Sequence, residues 1–149
     1  MDDQRISVET RQIEAVLSNG CRISGEAFLQ LHGAHLTGPQ RIGEVINSDE
    51  DFLPVRSPEG VELINLEQVV SVATAATEEF DPLLKLGEEH QIQVEPSVGE
   101  PLHLRIFVNL PGGKTRVKDF LNQDKRFLLF LYDDKVIYLA RNRILRVKD

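Results

Sequence analysis

Tryptophan is absent from this chain of 149 residues, and cysteine and methionine occur once each. A lone cysteine, Cys21, excludes an internal disulfide and a multi-cysteine zinc site. Following Asn19-Gly20, it reads as a small core or strand residue. Long apolar runs are also missing. Stretches such as Phe127 to Tyr132 fall far short of the roughly 18 residues that cross a bilayer. Met1-Asp2-Asp3-Gln4-Arg5 is polar, with no apolar signal segment behind it, so the expectation is a cytoplasmic protein without a membrane partner. Positive charge is scarce: 17 Lys and Arg face 24 Asp and Glu, for a net charge of −7. The deficit lies in residues 1–75, with 5 basic and 12 acidic side chains, whereas residues 76–149 carry 12 of each. An acidic first half argues against nucleic acid lying across both halves.

What the chain does contain is internal similarity. At an offset of 75 residues, Gly38/Gly113, Arg41/Arg116, Asn47/Asn122, Asp49/Asp124, Phe52/Phe127, Leu53/Leu128, Val61/Val136 and Val72/Val147 are identical. Ile42/Val117, Glu44/Asp119, Ile46/Leu121, Ile64/Leu139, Val69/Ile144 and Val70/Leu145 are similar, and upstream Leu29/Leu104 and Leu31/Ile106 keep the offset. An ordered series of this kind reads as a duplication. It divides the chain into a first copy (1–75), a linker (76–89) and a second copy (90–149).

Within the first copy, Ile13, Ala15 and Leu17 alternate with polar residues as a half-buried strand does. Asn19-Gly20 predicts a hairpin, with a second strand over 21–31. Residues 32–40 carry loop chemistry. Ile42, Val45 and Ile46, matched by Val117, Phe120 and Leu121, predict a short helix with one buried side. Asn47 and Asn122 would end it in a left-handed conformation. Strands follow at 52–55, 61–65 and 69–73, and again at 127–132, 136–140 and 144–147. Phe52 and Phe127 are expected in matching cores, where truncation to Ala would cost about 3–5 kcal/mol. In the linker, Asp81-Pro82 predicts a helix start and Gly87 its stop.

With strands in this order, Val16-Leu17-Ser18-Asn19-Gly20-Cys21-Arg22-Ile23-Ser24-Gly25 resembles the first motif of Sm-like (LSm) proteins. Leu63-Ile64-Asn65-Leu66-Glu67-Gln68-Val69-Val70-Ser71-Val72 and Tyr138-Leu139-Ala140-Arg141-Asn142-Arg143-Ile144-Leu145-Arg146-Val147 resemble the second. Arg41 to Asn47 with Phe52-Leu53, and Arg116 to Asn122 with Phe127-Leu128, are similar to a bacterial family with an R-[LIV]-x-[DE]-x-[LI]-N segment before an F-L strand. The resemblance implies a mainly β protein: two tandem, small, Sm-like five-stranded bent-sheet barrels with short helical turns.

Residues with chemistry are few. Gly112-Gly113-Lys114-Thr115 lacks the upstream glycine of a phosphate-binding loop, since Val108 stands there, and reads as a turn. His32, His35, His90 and His103 have no partners at metal-ligand spacing; His32 and His35 read as loop residues, and His103, aligned with Phe28, as a strand-face residue. Asp49-Glu50-Asp51 lacks the rest of a calcium loop and reads as a solvated turn. No catalytic, cofactor or metal site is expected. Arg41 and Arg116 fit either an i, i+3 ion pair to Glu44 and Asp119 or a contact to an anion or partner. Arg141 and Arg143 join Arg146 and Lys148 in a basic group near the last hairpin. The functional expectation is a non-enzymatic binding or assembly module, homo-oligomeric or protein-binding through sheet edges. The alternative is RNA binding on the basic faces of the second copy.

Overall fold

The structure is a computed structural model that describes residues 8–30 and 40–149. Gly38, Leu31, His32 and His35 lie outside the described residues. Among the described residues, ten strands form one antiparallel sheet. They are β1 (Val8–Leu17), β2 (Arg22–Gln30), β3 (Phe52–Ser57), β4 (Gly60–Asn65), β5 (Val69–Ala75), β6 (Glu88–Pro96), β7 (Leu102–Val108), β8 (Phe127–Tyr132), β9 (Lys135–Ala140) and β10 (Ile144–Lys148). Their order across the sheet is β10-β6-β7-β8-β9-β5-β1-β2-β3-β4. Three short α-helices among the described residues interrupt them: α1 (Ile42–Ile46), α2 (Ala76–Glu79) and α3 (Val117–Leu121).

In place of the expected two tandem five-stranded barrels, the described strands form one open sheet. The physical reason is a strand pairing that local sequence does not show: β9 hydrogen-bonds to β5. Each half nonetheless has the same internal order, with its fifth strand beside its first.

The local readings of turns were mostly sound. Gly20 has φ +88°, as the Asn-Gly hairpin requires, and the Asn19 side chain accepts from the Cys21 amide at 2.9 Å. Cys21 itself is exposed and lies outside β2, which corrects its reading as a core or strand residue. In the linker, the Asp81 carboxylate accepts from Leu83 N–H at 3.0 Å, Pro82 opens a 3-10 turn over Pro82–Leu86, and Gly87 ends it. Gly112 and Gly113, both at positive φ, sit in a tight turn closed by a Leu110–Lys114 bridge.

One alignment needs revision. From α1 onward the halves correspond at 75 residues, but the first hairpins do not. Glu26 pairs with Arg56 and Arg105 with Leu131; Arg56 and Leu131 are 75 apart, whereas Glu26 and Arg105 are 79 apart. Gly20 and Gly99, both at positive φ, and Ser18 and Ser97 keep that second offset. The two seryl amides bond to the equivalent carbonyls of Gln68 and Arg143, each at 2.8 Å. The loop after the hairpin is thus four residues shorter in the second half. His103 consequently corresponds to Ser24, not Phe28, and Leu29 corresponds to Val108.

Two apolar clusters share the sheet. One joins Ile13, Ala27, Leu29, Ile42, Leu53 and Val72 to Phe127, Val136 and Tyr138. The other gathers Ile92, Leu104, Ile106, Phe120, Leu128, Phe130 and Leu139. Strands β8 and β9 therefore bury both faces, one in each cluster. Their counterparts β3 and β4 bury one face only. Phe127 is 1 % exposed and Phe52 is 52 % exposed, so the expectation of matching surroundings is overturned.

Candidate functional site

The seam between the halves carries a set of polar side-chain contacts. Its backbone is the β5·β9 ladder, with Ser71 opposite Leu139, Val72 opposite Tyr138, Ala73 opposite Ile137 and Thr74 opposite Val136. Around that ladder, side chains of each half reach the other. At the end of α1, the Asn47 side chain accepts from Phe127 N–H at 2.8 Å and donates to Phe127 C=O at 3.1 Å. One amide thus caps the start of β8 as a strand neighbour would. The backbone of Asn47 has φ −99° and that of Asn122 −95°, so neither adopts the expected left-handed conformation. Asn122 instead turns its side chain back to Lys118 C=O at 2.9 Å and stays exposed.

Three further contacts cross the seam. Arg126 donates to Glu50 C=O at 3.1 Å and lies 3.4 Å from an Asp51 carboxylate oxygen. Arg143 donates to Glu67 C=O at 2.9 Å and to the Gln68 side-chain oxygen at 3.2 Å. Tyr138 donates its hydroxyl to Glu79 Oε1 at 2.6 Å.

Glu79 is the densest node. Its carboxylate is buried, pairs with the guanidinium of Arg11, and accepts from Ile42 N–H at 2.8 Å. Four elements, β1, α1, α2 and β9, converge on this one group. A buried carboxylate persists when charge and hydrogen-bond capacity are both met, as here. The Tyr138 ring reaches it by crossing Gly43, where an added Cβ would sit 2.8 Å from ring atoms. Glycine is required there by close approach.

Burial and the adjacent Glu79 carboxylate push the Tyr138 hydroxyl well above its ordinary value of 10.0. In alkali the unfolded chain then loses this proton first. Stability is full below about pH 10 and falls as pH rises further, because the folded state holds the proton longer. The decline between pH 9 and pH 11, followed by thermal melting, should be steeper in the wild type than in Tyr138→Phe.

The sequence-marked arginines separate here. Arg41 precedes α1 on the wall of a cavity of about 580 Å³, which Phe107, Lys125 and Tyr138 also line. The Arg41 backbone N–H donates to the Glu44 carboxylate at 2.8 Å. Arg116 forms the expected i, i+3 ion pair with Asp119 at 3.3 Å, and this side-chain hydrogen bond holds the Asp119 carboxyl below its ordinary range. Arg143 is a seam residue, while Arg141, at the start of the last 3-10 turn, is exposed. The structure does not gather the four into one site. Sequence reading missed Asn47, Arg126, Glu79 and Tyr138. Asn47 and Arg126 carried a signal, as members of the 75-residue series or beside it; Glu79 and Tyr138 carried none.

Among the described residues, no group of three or more His, Cys, Asp or Glu side chains is placed to hold a metal ion. No helix among them is long and apolar enough to cross a membrane. Comparison with family models, curated proteins and solved structures finds no match to this chain.

Proposed function

We propose that this chain is a non-enzymatic assembly module built from two duplicated Sm-like halves, and that it works by pairing its sheet edges with further strands. The observation that carries this reading is the internal seam. One half already offers a strand edge and an apolar face to the other through β9 and β5. Among the described residues, β4 and β10 each have one partner strand, so the sheet ends on the counterparts of those same two strands. Unpaired edges present rows of donors and acceptors that favour strand addition. Phe52, Val61 and Leu63 on β3 and β4, and Leu145 on β10, leave large apolar surface exposed. Their counterparts Phe127, Val136, Tyr138 and Val70 are buried. Isolated exposed apolar residues are common, but a patch whose duplicate is an interface marks an interaction surface.

RNA binding through the second half has less support. Arg116, Arg126, Arg143 and Arg146 are each engaged with acidic or backbone partners within the chain. Sedimentation velocity across a wide concentration range tests the leading reading. It should give a mass above one chain that rises with concentration. A single chain throughout removes it.

A further inference from the structure

We propose that the cavity beside the seam binds a small amphipathic anion, with the apolar body of the ligand between Phe107 and Leu129 and its carboxylate on Arg41. This goes beyond edge pairing, since a single chain carries the whole site. Strands β7 and β8 meet at Arg105 opposite Leu131 and part beyond that pair. Phe107 and Leu129 line the two sides of the gap, and residues of α1 and of the linker complete its walls. The volume is about 580 Å³, inside the range of roughly 300–1,000 Å³ found for small-molecule sites. The Phe80 ring centre stands 6.0 Å from that of Phe107. Leu83 and Leu84, both exposed, carry the apolar wall out to solvent.

The duplication supplies the argument for negative charge. Arg41 and Arg116 hold the same position before α1 and α3, each with an acid three residues on. Both backbone amides donate to that acid. The side chains then diverge. Arg116 turns back onto Asp119 at 3.3 Å and is 73 % exposed. Arg41 is half-buried and lines the cavity. Its charge opposes the rise of the Tyr138 hydroxyl, which sets the guanidinium on the same wall as that ring. Among the described residues, Arg105 and Arg126 reach carboxylates as Arg116 does, and the Arg41 side chain does not. A guanidinium drawn partly out of water calls for an anionic acceptor.

The acids on the wall are already engaged. Glu79 is matched by Arg11 and accepts from the Ile42 amide and the Tyr138 hydroxyl. Asp81 accepts from Leu83 N–H at 3.0 Å, and Glu44 accepts from Arg41 N–H at 2.8 Å. Lys125 adds a second, exposed cation to the lining. Charged donors are therefore in surplus beside an apolar slot. That combination selects a molecule with an apolar body and one acidic end.

Decanoate, below its micelle concentration, is the probe, and decanol is the same chain without the charge. Isothermal titration of the dilute chain should show one saturable decanoate site, with decanol bound at least tenfold more weakly. Arg41→Gln should weaken decanoate about tenfold and leave decanol unchanged, whereas Arg116→Gln should change neither. Leu129→Trp fills the slot and should abolish binding of both, with its melting curve as the check on folding. If Leu129→Trp does not fold, the two arginine variants decide. Absence of saturable decanoate binding to the wild type overturns the site. So does full binding by a folded Leu129→Trp, or an equal effect of Arg41→Gln and Arg116→Gln. Decanol bound as tightly as decanoate overturns the assignment of an anion. None of these results bears on edge pairing, which is read from association at high concentration.

Discussion

Phe127→Ala is expected to lower the free energy of unfolding by about 3–5 kcal/mol, whereas Phe52→Ala should change it by less than about 0.5 kcal/mol. The two phenylalanines occupy corresponding positions on corresponding strands, so the contrast isolates environment from chemistry. Phe127 is 1 % exposed and sits in the cluster with Ile13, Leu53 and Val72. Removing the ring leaves a cavity that neighbours from two halves cannot jointly collapse into. Phe52 projects from the uncovered face of β3, and its truncation removes little packing. Urea unfolding of dilute protein measures both. Equal losses would mean that the β3 face is covered in the monomer, contrary to the sheet order.

The same pair shows where sequence reading stops. Strand positions and turns were legible because their causes are local. Asn19-Gly20 dictates its own hairpin, Asp81-Pro82 its own helical start, and Ile42, Val45 and Ile46 their own buried stripe. The degree of burial on a sheet's second face is not local. It depends on which strand and which helix lie across the seam, and Phe52-Leu53 and Phe127-Leu128 give identical local patterns. The alignment error at the first hairpin has a similar origin. The halves differ by four residues in one loop, so a fixed offset matched apolar residues to the wrong partners. Ser18-x-Gly20 against Ser97-x-Gly99 held the correct signal, because a positive φ marks a backbone requirement. Asn47 was visible as a shared residue but was given a backbone role. Its work is done by the side chain, across the seam.

Glu79→Ala is expected to cost about 3–5 kcal/mol, the penalty for breaking a buried ion pair from one side. Nothing in Glu78-Glu79 distinguishes the two acids by sequence, yet Glu78 is exposed and Glu79 is buried. Loss of the Glu79 carboxylate deprives the buried Arg11 of its closest anion, the Ile42 amide of its acceptor and the Tyr138 hydroxyl of its partner. Glu78 and Glu9 lie 3.3 and 3.7 Å from the same guanidinium and soften the loss without replacing the hydrogen bonds to α1 and β9. Glu79→Gln retains an acceptor oxygen but not the charge, so it should fall between wild type and Glu79→Ala. Arg11→Met combined with Glu79→Leu should recover part of the stability, since no buried charge is then left unpaired. Denaturant unfolding of the four proteins separates charge from hydrogen bonding at this node. A Glu79→Ala variant as stable as the wild type would show that α1 and β9 are held in place by apolar packing alone.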